Sequence, residues 1–268
     1  MGKANSYADT NGVYHNKLGI NDAVQLKHVE YDLTAQRSRE IIEQNVLGDL
    51  CEYGLERQKA IHQHLFQDIY EWAGKTRTVP SSKSMETSKP DFNIVSVFTD
   101  PSDIISAWRE LEKKTQAFAE ARGLTFEQKR EALADIFIEA NHIHPFSEGN
   151  GRSLQVFMKE LARKQGIELD YNKTNFHEWN KASAVSGTYG ELFEDKGQKY
   201  LIPHPPDSEP IRKIFSEMAS PSQTQKQDFS GLMRACEAKA KTDGLTEAQR
   251  AVVMTRARQE KNPPDLER

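Results

Sequence analysis

The chain has 268 residues, of which 37% are hydrophobic and 28% are charged, and its formal net charge is −4. This length suits one large domain, or one domain with an appendage, and the composition is typical of a soluble protein with amphipathic helices. The charge balance lacks the basic excess that a nucleic-acid-binding surface needs, so we expect no nucleic-acid partner.

We expect neither a membrane-spanning segment nor a secretory signal in this sequence. No apolar run approaches the roughly 20 residues that cross a bilayer, and Met1 to Thr10 lacks the apolar core of a secretory signal. We therefore expect no membrane span and a cytoplasmic location, while translocation into another cell without a cleavable signal peptide stays open. Cys51 and Cys236 have no metal-ligand spacing and are interpreted as reduced, structural residues.

Two helices are predicted in the first part of the chain. Apolar residues recur at helical spacing after Asn21 and Asp22, either of which can cap the first helix, and this helix should end before Gly48. The second helix is predicted from Leu55 to Trp72 and should stop at Gly74.

His62 and His64 both lie on the second predicted helix. Two positions apart on a helix, they point to different faces, so a shared metal ion is not expected. We expect one of them to be partly buried and the other to be solvated.

The segment from Arg77 to Met85 is short, and Pro80 interrupts it. Proline is confined to the edges and turns of sheets, so the segment could form a small hairpin, an extended flap or a surface loop. Composition alone favours the surface loop.

Three further helices surround a short polar loop. One is predicted from Pro101 to Arg122, and Thr125 with Gln128 has the spacing of a capping box for the next, which leads the chain to His144. The last begins after the loop and stops at Gly166. The polar loop therefore joins two helices with strongly apolar faces.

That loop reads His-Pro-Phe-Ser-Glu-Gly-Asn-Gly-Arg from His144 to Arg152. At the start of a helix, Gly149, Asn150 and Gly151 leave backbone N–H groups unpaired in the positive potential of the helix dipole. Glycine also lets backbone approach phosphate oxygens closely. The pattern favours an anion hole suited to a diphosphate.

The side chains of the loop add chemistry to that anion hole. Arg152 offers a charge-assisted fork for phosphate oxygens, and Glu148 is placed to hold a bridging Mg²⁺. His144, with an ordinary pKa of about 6.5, can accept a proton from an attacking hydroxyl, whereas Phe146 is interpreted as an apolar anchor. Together they favour transfer of a phosphate-containing group onto an alcohol.

The loop resembles the signature of Fic domain proteins, His-x-Phe-x-(Asp/Glu)-Gly-Asn-Gly-Arg, at every specified position. The resemblance runs roughly from Tyr14 to Ile202 and includes the segments Asn16–Ile20 and Ile69–Thr78. It implies an all-α fold, a Fic-type helical bundle with a short β-hairpin flap, to which we add a small helical appendage at the C-terminal end.

The resemblance also implies an activity, the transfer of AMP from ATP, with Mg²⁺, to a Tyr, Thr or Ser hydroxyl of a target protein. His144 would deprotonate that hydroxyl and Glu148 would hold Mg²⁺. The N–H groups around Asn150 and Gly151, with Arg152, would bind the phosphates.

The segment before Met85 becomes, by the same resemblance, a flap that pairs with an extended stretch of the target by strand addition. This replaces the interpretation as a surface loop. Lys83 is assigned to the phosphates or the target, and the flap positions are Thr78, Val79, Pro80, Ser81 and Ser82.

Two departures from the family pattern qualify this prediction. Gln155 stands where the family has a second arginine, which costs a charge-assisted contact of about 1.5 to 3 kcal/mol. Other Fic reactions such as UMPylation or phosphorylation, and a weakened binding protein, therefore stay open. The inhibitory pattern (Ser/Thr)-x-x-x-Glu-(Gly/Asn) is missing, because Glu148 is the one Glu followed by Gly or Asn, so inhibition by a small antitoxin-like partner stays open. With Gln155 in place of the second arginine, the inhibitory glutamate of such a partner would lose its usual anchor.

The domain organisation follows from changes of composition along the chain. We predict an N-terminal arm over 1–13, the Fic domain over 14–202, a linker region with a short helix over 203–228 and a helical extension over 229–268.

Overall fold

The computed structural model describes residues 7–48, 53–86, 92–195 and 197–222. It is a helical bundle with a β-hairpin flap, as predicted, and the hairpin belongs to a larger antiparallel sheet. Its helices within these ranges are α1 (Ala23–Gln44), α2 (Leu55–Phe66), α3 (Ile104–Glu120), α4 (Phe126–Ile143), α5 (Asn150–Lys164), α6 (Phe176–Val185) and α7 (Glu209–Met218). The predicted extension over 229–268, Cys51 and Cys236 lie outside the described residues.

The predicted helix starts are confirmed where a local cap determines them. The Asp22 side chain accepts the Gln25 N–H at 2.7 Å at the start of α1. At the start of α4, Thr125 and Gln128 form both bonds of the capping box. Such caps satisfy N–H groups that a helix end leaves unpaired. Because the capping residue and its partner are three positions apart, the start of the helix can be predicted from local sequence.

Helix α2 ends at Phe66, earlier than the predicted end at Trp72. The chain continues in turns, in which the N–H of Ile69 donates to Phe66 O at 2.9 Å and the N–H of Ala73 donates to Tyr70 O at 3.3 Å. These turns keep a spacing near three residues, so the aromatic side chains after Phe66 still reach the core and mimic helical periodicity.

The core lies between α4 and α5, with α2, α3 and α7 packed around them. Trp108 and Phe157 meet edge to face with ring centroids 5.7 Å apart, and both are fully buried. Phe137 contacts Phe215 of α7 at 5.5 Å between centroids. The short helix predicted after residue 202 therefore packs into the same core as the motif helices.

The sheets are formed by β1 (Ser82–Glu86), β2 (Phe92–Val97), β3 (Ile167–Leu169), β4 (Tyr189–Asp195), β5 (Gln198–His204) and β6 (Ala219–Pro221). The predicted hairpin is β1–β2, with Ser82 opposite Val97. It belongs to a four-stranded antiparallel sheet in the order β1-β2-β4-β5, which extends it through a second hairpin that the sequence analysis did not assign. β3 and β6 form a separate pair.

Candidate active site

The polar loop connects the C-terminus of α4 to the N-terminus of α5. His144 closes α4 in the left-handed region, with φ 48° and ψ 64°, and its N–H donates to Ala140 O at 3.2 Å. Gly149 opens α5 with φ 80°. A left-handed backbone is uncommon for histidine, so the loop holds the predicted base in a strained conformation.

Asn150 closes the loop through its side chain. Its Oδ1 accepts the Phe146 N–H at 2.8 Å, and its Nδ2 donates to Phe146 O at 2.7 Å. Asn150 is buried, as is Phe146, so the amide stabilises the loop from inside. Because the Asn150 side chain is used within the loop, the backbone N–H groups at the start of α5 are the groups that would bind an anion here.

His62 lies beneath the loop and was not identified as a functional residue from the sequence. Its ring stacks on Phe146 with centroids 3.8 Å apart. Its Nδ1 accepts the Gly74 N–H at 2.9 Å, so the proton is on Nε2, which donates to Glu148 O at 2.9 Å. Burial lowers the pKa of His62 to about 3, and the ring is neutral at physiological pH.

The expectation that one of the two α2 histidines would be solvated is wrong. His62 is fully buried, and His64 lies 2.7 Å from Glu40 Oε2 with little exposure. A tertiary contact with α1 covers His64, which the α2 sequence by itself does not indicate.

His144 is held in the form that a general base requires. Its ring stacks on Phe98 with centroids 3.6 Å apart and 5° between the planes. Nδ1 contacts Asn141 O at 3.3 Å, and since a carbonyl only accepts, Nδ1 carries the proton and Nε2 the lone pair. Burial lowers the pKa of His144 to about 3, the bond to Asn141 opposing it and the charge of Lys83 reinforcing it.

Arg152 and Glu148 meet at the first turn of α5. Arg152 Nη2 donates to Glu148 Oε1 at 3.2 Å, and Glu148 Oε1 also accepts the Gly149 N–H at 2.9 Å. Arg152 Nη2 pairs with Glu30 of α1 as well. Glu30 is a further site residue that the sequence analysis missed, because its position 122 residues before Arg152 gives no local signal.

The two glycines of the motif have different environments. A Cβ at Gly149 would lie 2.1 Å from Phe66 Cζ, so this position requires glycine both for space and for its positive φ. A Cβ at Gly151 would meet nothing within 4 Å. Gly151 therefore presents open backbone at the start of α5.

A cavity of about 320 Å³ lies against this turn. Its lining includes six predicted site residues, namely Lys83, Glu148, Gly149, Gly151, Arg152 and Gln155. The opposite walls come from α1 and from residues 171–180. The size is that of a small-molecule pocket, although His144 and the flap positions Thr78 to Ser82 are not among the lining residues described.

Arg77 joins the flap to the loop, and sequence reasoning gave it no role. Its buried guanidinium donates to His144 O at 2.8 Å, to Val79 O at 3.0 Å and to Thr99 O. The start of the flap is thereby fixed relative to the predicted base. Desolvation lowers the pKa of Arg77, with the charge of Asp100 opposing this.

Known proteins resemble this chain in sequence and in fold. A family model described as "Fic/DOC family" matches residues 53–162. A probable protein adenylyltransferase Fic of Salmonella typhimurium is 31% identical over 180 residues, which are 67% of this chain and 82% of that protein. The chain belongs to the Fic/DOC family. This confirms the resemblance seen in the motif.

The other matches differ in how much of the relative they cover. The Fic/DOC chain is 34% identical over 190 residues to protein adenylyltransferase VbhT of Bartonella schoenbuchensis, covering 70% of this chain and 37% of the length of VbhT. The structure of BepC of Bartonella tribocorum with bound AMPPNP superposes with a TM-score of 0.62 at 21% identity, covering 81% of this chain and 97% of that one. This likeness confirms the fold.

Proposed function

We propose that this Fic/DOC protein is a protein adenylyltransferase that transfers AMP from ATP to a Tyr, Thr or Ser hydroxyl of a target protein. The observation that carries the proposal is the neutral His144, with its proton on Nδ1, in the same loop that supplies Glu148 and Arg152 to one cavity. The names of the relatives, protein adenylyltransferases, support the same reaction.

The chemistry assigns one step to each part of the loop. Nε2 of His144 takes the proton of the target hydroxyl, whose oxygen attacks the α-phosphorus of ATP. The bond from that phosphorus to the bridging oxygen breaks, and pyrophosphate leaves. The N–H groups at Asn150 and Gly151, with the Arg152 guanidinium, stabilise the negative charge on the phosphates.

The residues present fit a magnesium ion that is shared with the nucleotide. Within the described ranges no group of three or more acidic, His or Cys side chains could hold a metal ion by itself. Mg²⁺ commonly takes one or two carboxylates and completes its shell with phosphates and waters. Glu148, whose side chain is 42% exposed and lines the cavity, would be that carboxylate. Bound Mg²⁺ would offset phosphate charge.

The flap is the proposed binding site of the target protein. β1 is an edge strand of the four-stranded sheet and its residues are mostly exposed, which suits pairing with an extended segment. Lys83 lines the cavity, and its Nζ lies 3.4 Å from Asn180 Oδ1. We assign Lys83 to the phosphates. We assign positioning of the target segment to the flap residues Thr78, Val79, Pro80, Ser81 and Ser82.

The activity would be controlled by an inhibitor, and the protein would be delivered into another cell. We propose a small antitoxin-like protein as the inhibitor, because the sequence lacks the inhibitory pattern of the family. Delivery into another cell is supported by the description of BepA, a structural neighbour, as a type IV secretion system effector protein. No helix in the described part of the chain is long and apolar enough to cross a membrane.

Labelling with two forms of ATP tests the reaction. Label is compared between a cell lysate with and without the added protein, because kinases of the lysate label proteins from γ-³²P-ATP in both samples. We expect the added protein to increase label from α-³²P-ATP and not from γ-³²P-ATP. An increase from γ-³²P-ATP alone would contradict AMP transfer and identify phosphorylation. His144→Ala should abolish the increase from α-³²P-ATP, whereas His15→Ala, which changes an exposed histidine, should leave it unchanged.

A further inference from the structure

Glu30 of α1 is a buried carboxylate beside the proposed phosphate site, 5% exposed. Its Oε1 accepts from Arg152 Nη2, and its Oε2 accepts from the Tyr70 hydroxyl. A carboxylate taken out of water is stable only with such partners. Burial and the charge of Glu30 raise the pKa of Tyr70, so its hydroxyl remains a donor.

Aromatic rings lie against the faces of the Arg152 guanidinium, and hydrogen-bond acceptors lie at its edge. The rings of Tyr31 and Phe66 each lie with their centroid 4.8 Å from Arg152 Cζ. Nη1 donates to Thr34 Oγ1 at 3.3 Å. Burial alone would lower the pKa of Arg152, but Glu30 and Glu148 raise it, so the group stays charged.

The arrangement positions the arginine and does not mask it. A masking carboxylate must be able to move away, yet Tyr70 holds the second oxygen of Glu30, and the Tyr70 ring stacks on Trp72 with centroids 4.2 Å apart. Arg152 still lines the cavity. Within the described ranges its Nε hydrogen and one Nη1 hydrogen have no partner, which leaves two donors for phosphate oxygens.

We infer that Glu30 is a positioning residue that fixes the Arg152 guanidinium for the transfer, an inference that rests on the proposed function. A guanidinium already held in place loses little freedom when phosphates bind and remains aligned as charge develops. The negative charge of Glu30 does not itself attract phosphate. Its substitution should therefore change the rate of transfer more than the affinity for ATP.

The test measures initial rates of α-³²P label transfer from Mg·ATP into one lysate over a range of ATP concentrations. Glu30→Gln keeps the size and loses the charged bond, and Glu30→Asp keeps the charge and loses the reach. We expect either variant to lower the maximal rate by about fivefold or more, with the half-saturating ATP concentration within about threefold of wild type.

Glu40→Gln is the matched control, because Glu40 is an ion-paired carboxylate of the same helix that contacts Arg37 and His64. It should keep the wild-type rate. Two Glu30 variants keep the inference testable if thermal unfolding shows that one of them does not fold.

The outcomes separate the two claims. Wild-type protein that transfers no α-label would refute the proposed function and the inference with it. Wild-type labelling, with a folded Glu30 variant at an equal or higher rate or with markedly tighter ATP binding, would refute the inference alone. That result would mean that Glu30 keeps Arg152 from binding the phosphates.

Discussion

Gln155 lies on α5 one turn beyond Arg152 and lines the same cavity, so a neutral amide faces the cavity where the family pattern has a guanidinium. An amide donates a hydrogen bond without adding charge. The charged groups that line the cavity are Lys83, Glu148 and Arg152. A terminal phosphate bound near Gln155 would thus have less positive charge beside it than the α- and β-phosphates have near Arg152.

Gln155→Arg should therefore tighten binding of Mg·ATP by roughly tenfold, because a charge-assisted contact to phosphate contributes about 1.5 to 3 kcal/mol. Titration calorimetry measures the affinity. ADP is the matched ligand, since it lacks the terminal phosphate and should gain much less. Unchanged affinity for ATP, or an equal gain for ADP, would show that Gln155 does not face the terminal phosphate.

Arg77 determines how the flap is attached to the bundle. Its guanidinium is 2% exposed and donates to backbone carbonyls from three segments, Val79 before β1, Thr99 after β2 and His144 at the end of α4. Because these acceptors are backbone atoms, the bonds depend on main-chain positions and persist whatever side chains the neighbours carry. The flap and the loop are thereby linked as one unit.

Arg77→Lys should lower the free energy of unfolding by roughly 3 kcal/mol, since a single ammonium cannot reach carbonyls on three sides and each one left unpaired is costly. Urea denaturation followed by circular dichroism measures the change. Arg109→Lys, at an exposed position of α3, is the control and should shift stability by less than about 0.5 kcal/mol. If Arg77→Lys lowers the free energy of unfolding by less than about 1 kcal/mol, the hydrogen bonds of the guanidinium to the three carbonyls are not needed for stability.

The elements that sequence predicts best are those whose ends depend on nearby residues. Asp22 and Thr125 cap α1 and α4 through side-chain bonds to backbone three positions ahead, and both starts were predicted. The end of α2 was placed too late, because turns after Phe66 imitate helical spacing. The second hairpin, β4 with β5, was missed although Gly197 lies at its turn, and its place beside β2, with Ser96 opposite Tyr189, has no local signal in the sequence.

The same distinction holds for the site. The motif loop is contiguous in sequence, so its residues and their chemistry could be proposed directly. His62 and Glu30, which hold that loop, act across 86 and 122 residues and have no motif of their own.

At the scale of the whole molecule, two histidines link folding to pH, the buried His62 and the half-buried His144. The pKa of His62 and that of His144 are both lowered to about 3 from the ordinary value of about 6.5, chiefly by desolvation. Between these values the unfolded chain binds more protons than the folded one, so stability falls as the pH drops from 6.5 toward 3. The neutral base form of His144 meanwhile persists in the folded protein at mildly acidic pH.

We expect each of these histidines to lower the free energy of unfolding by about 1 kcal/mol between pH 6.5 and 5.5. Urea denaturation at the two pH values measures the total change. His62→Gln removes one titrating group and should reduce the decrease by about 1 kcal/mol, whereas His15→Gln, at an exposed position, should not alter it. An equal decrease in the His62 variant would show that His62 is not the group responsible.

The ion pair between Glu30 and Arg152 can form only late in the synthesis of the protein. The two residues are 122 positions apart, and Glu30 leaves the ribosome long before its partner is synthesised. A nascent chain that ends before residue 152 contains the α1 wall and the flap but lacks Arg152, Gln155 and the wall formed by residues 171–180. We therefore expect the proposed activity only after most of the bundle has been translated. Products that end before Arg152 should be inactive, because they lack a residue that binds the phosphates.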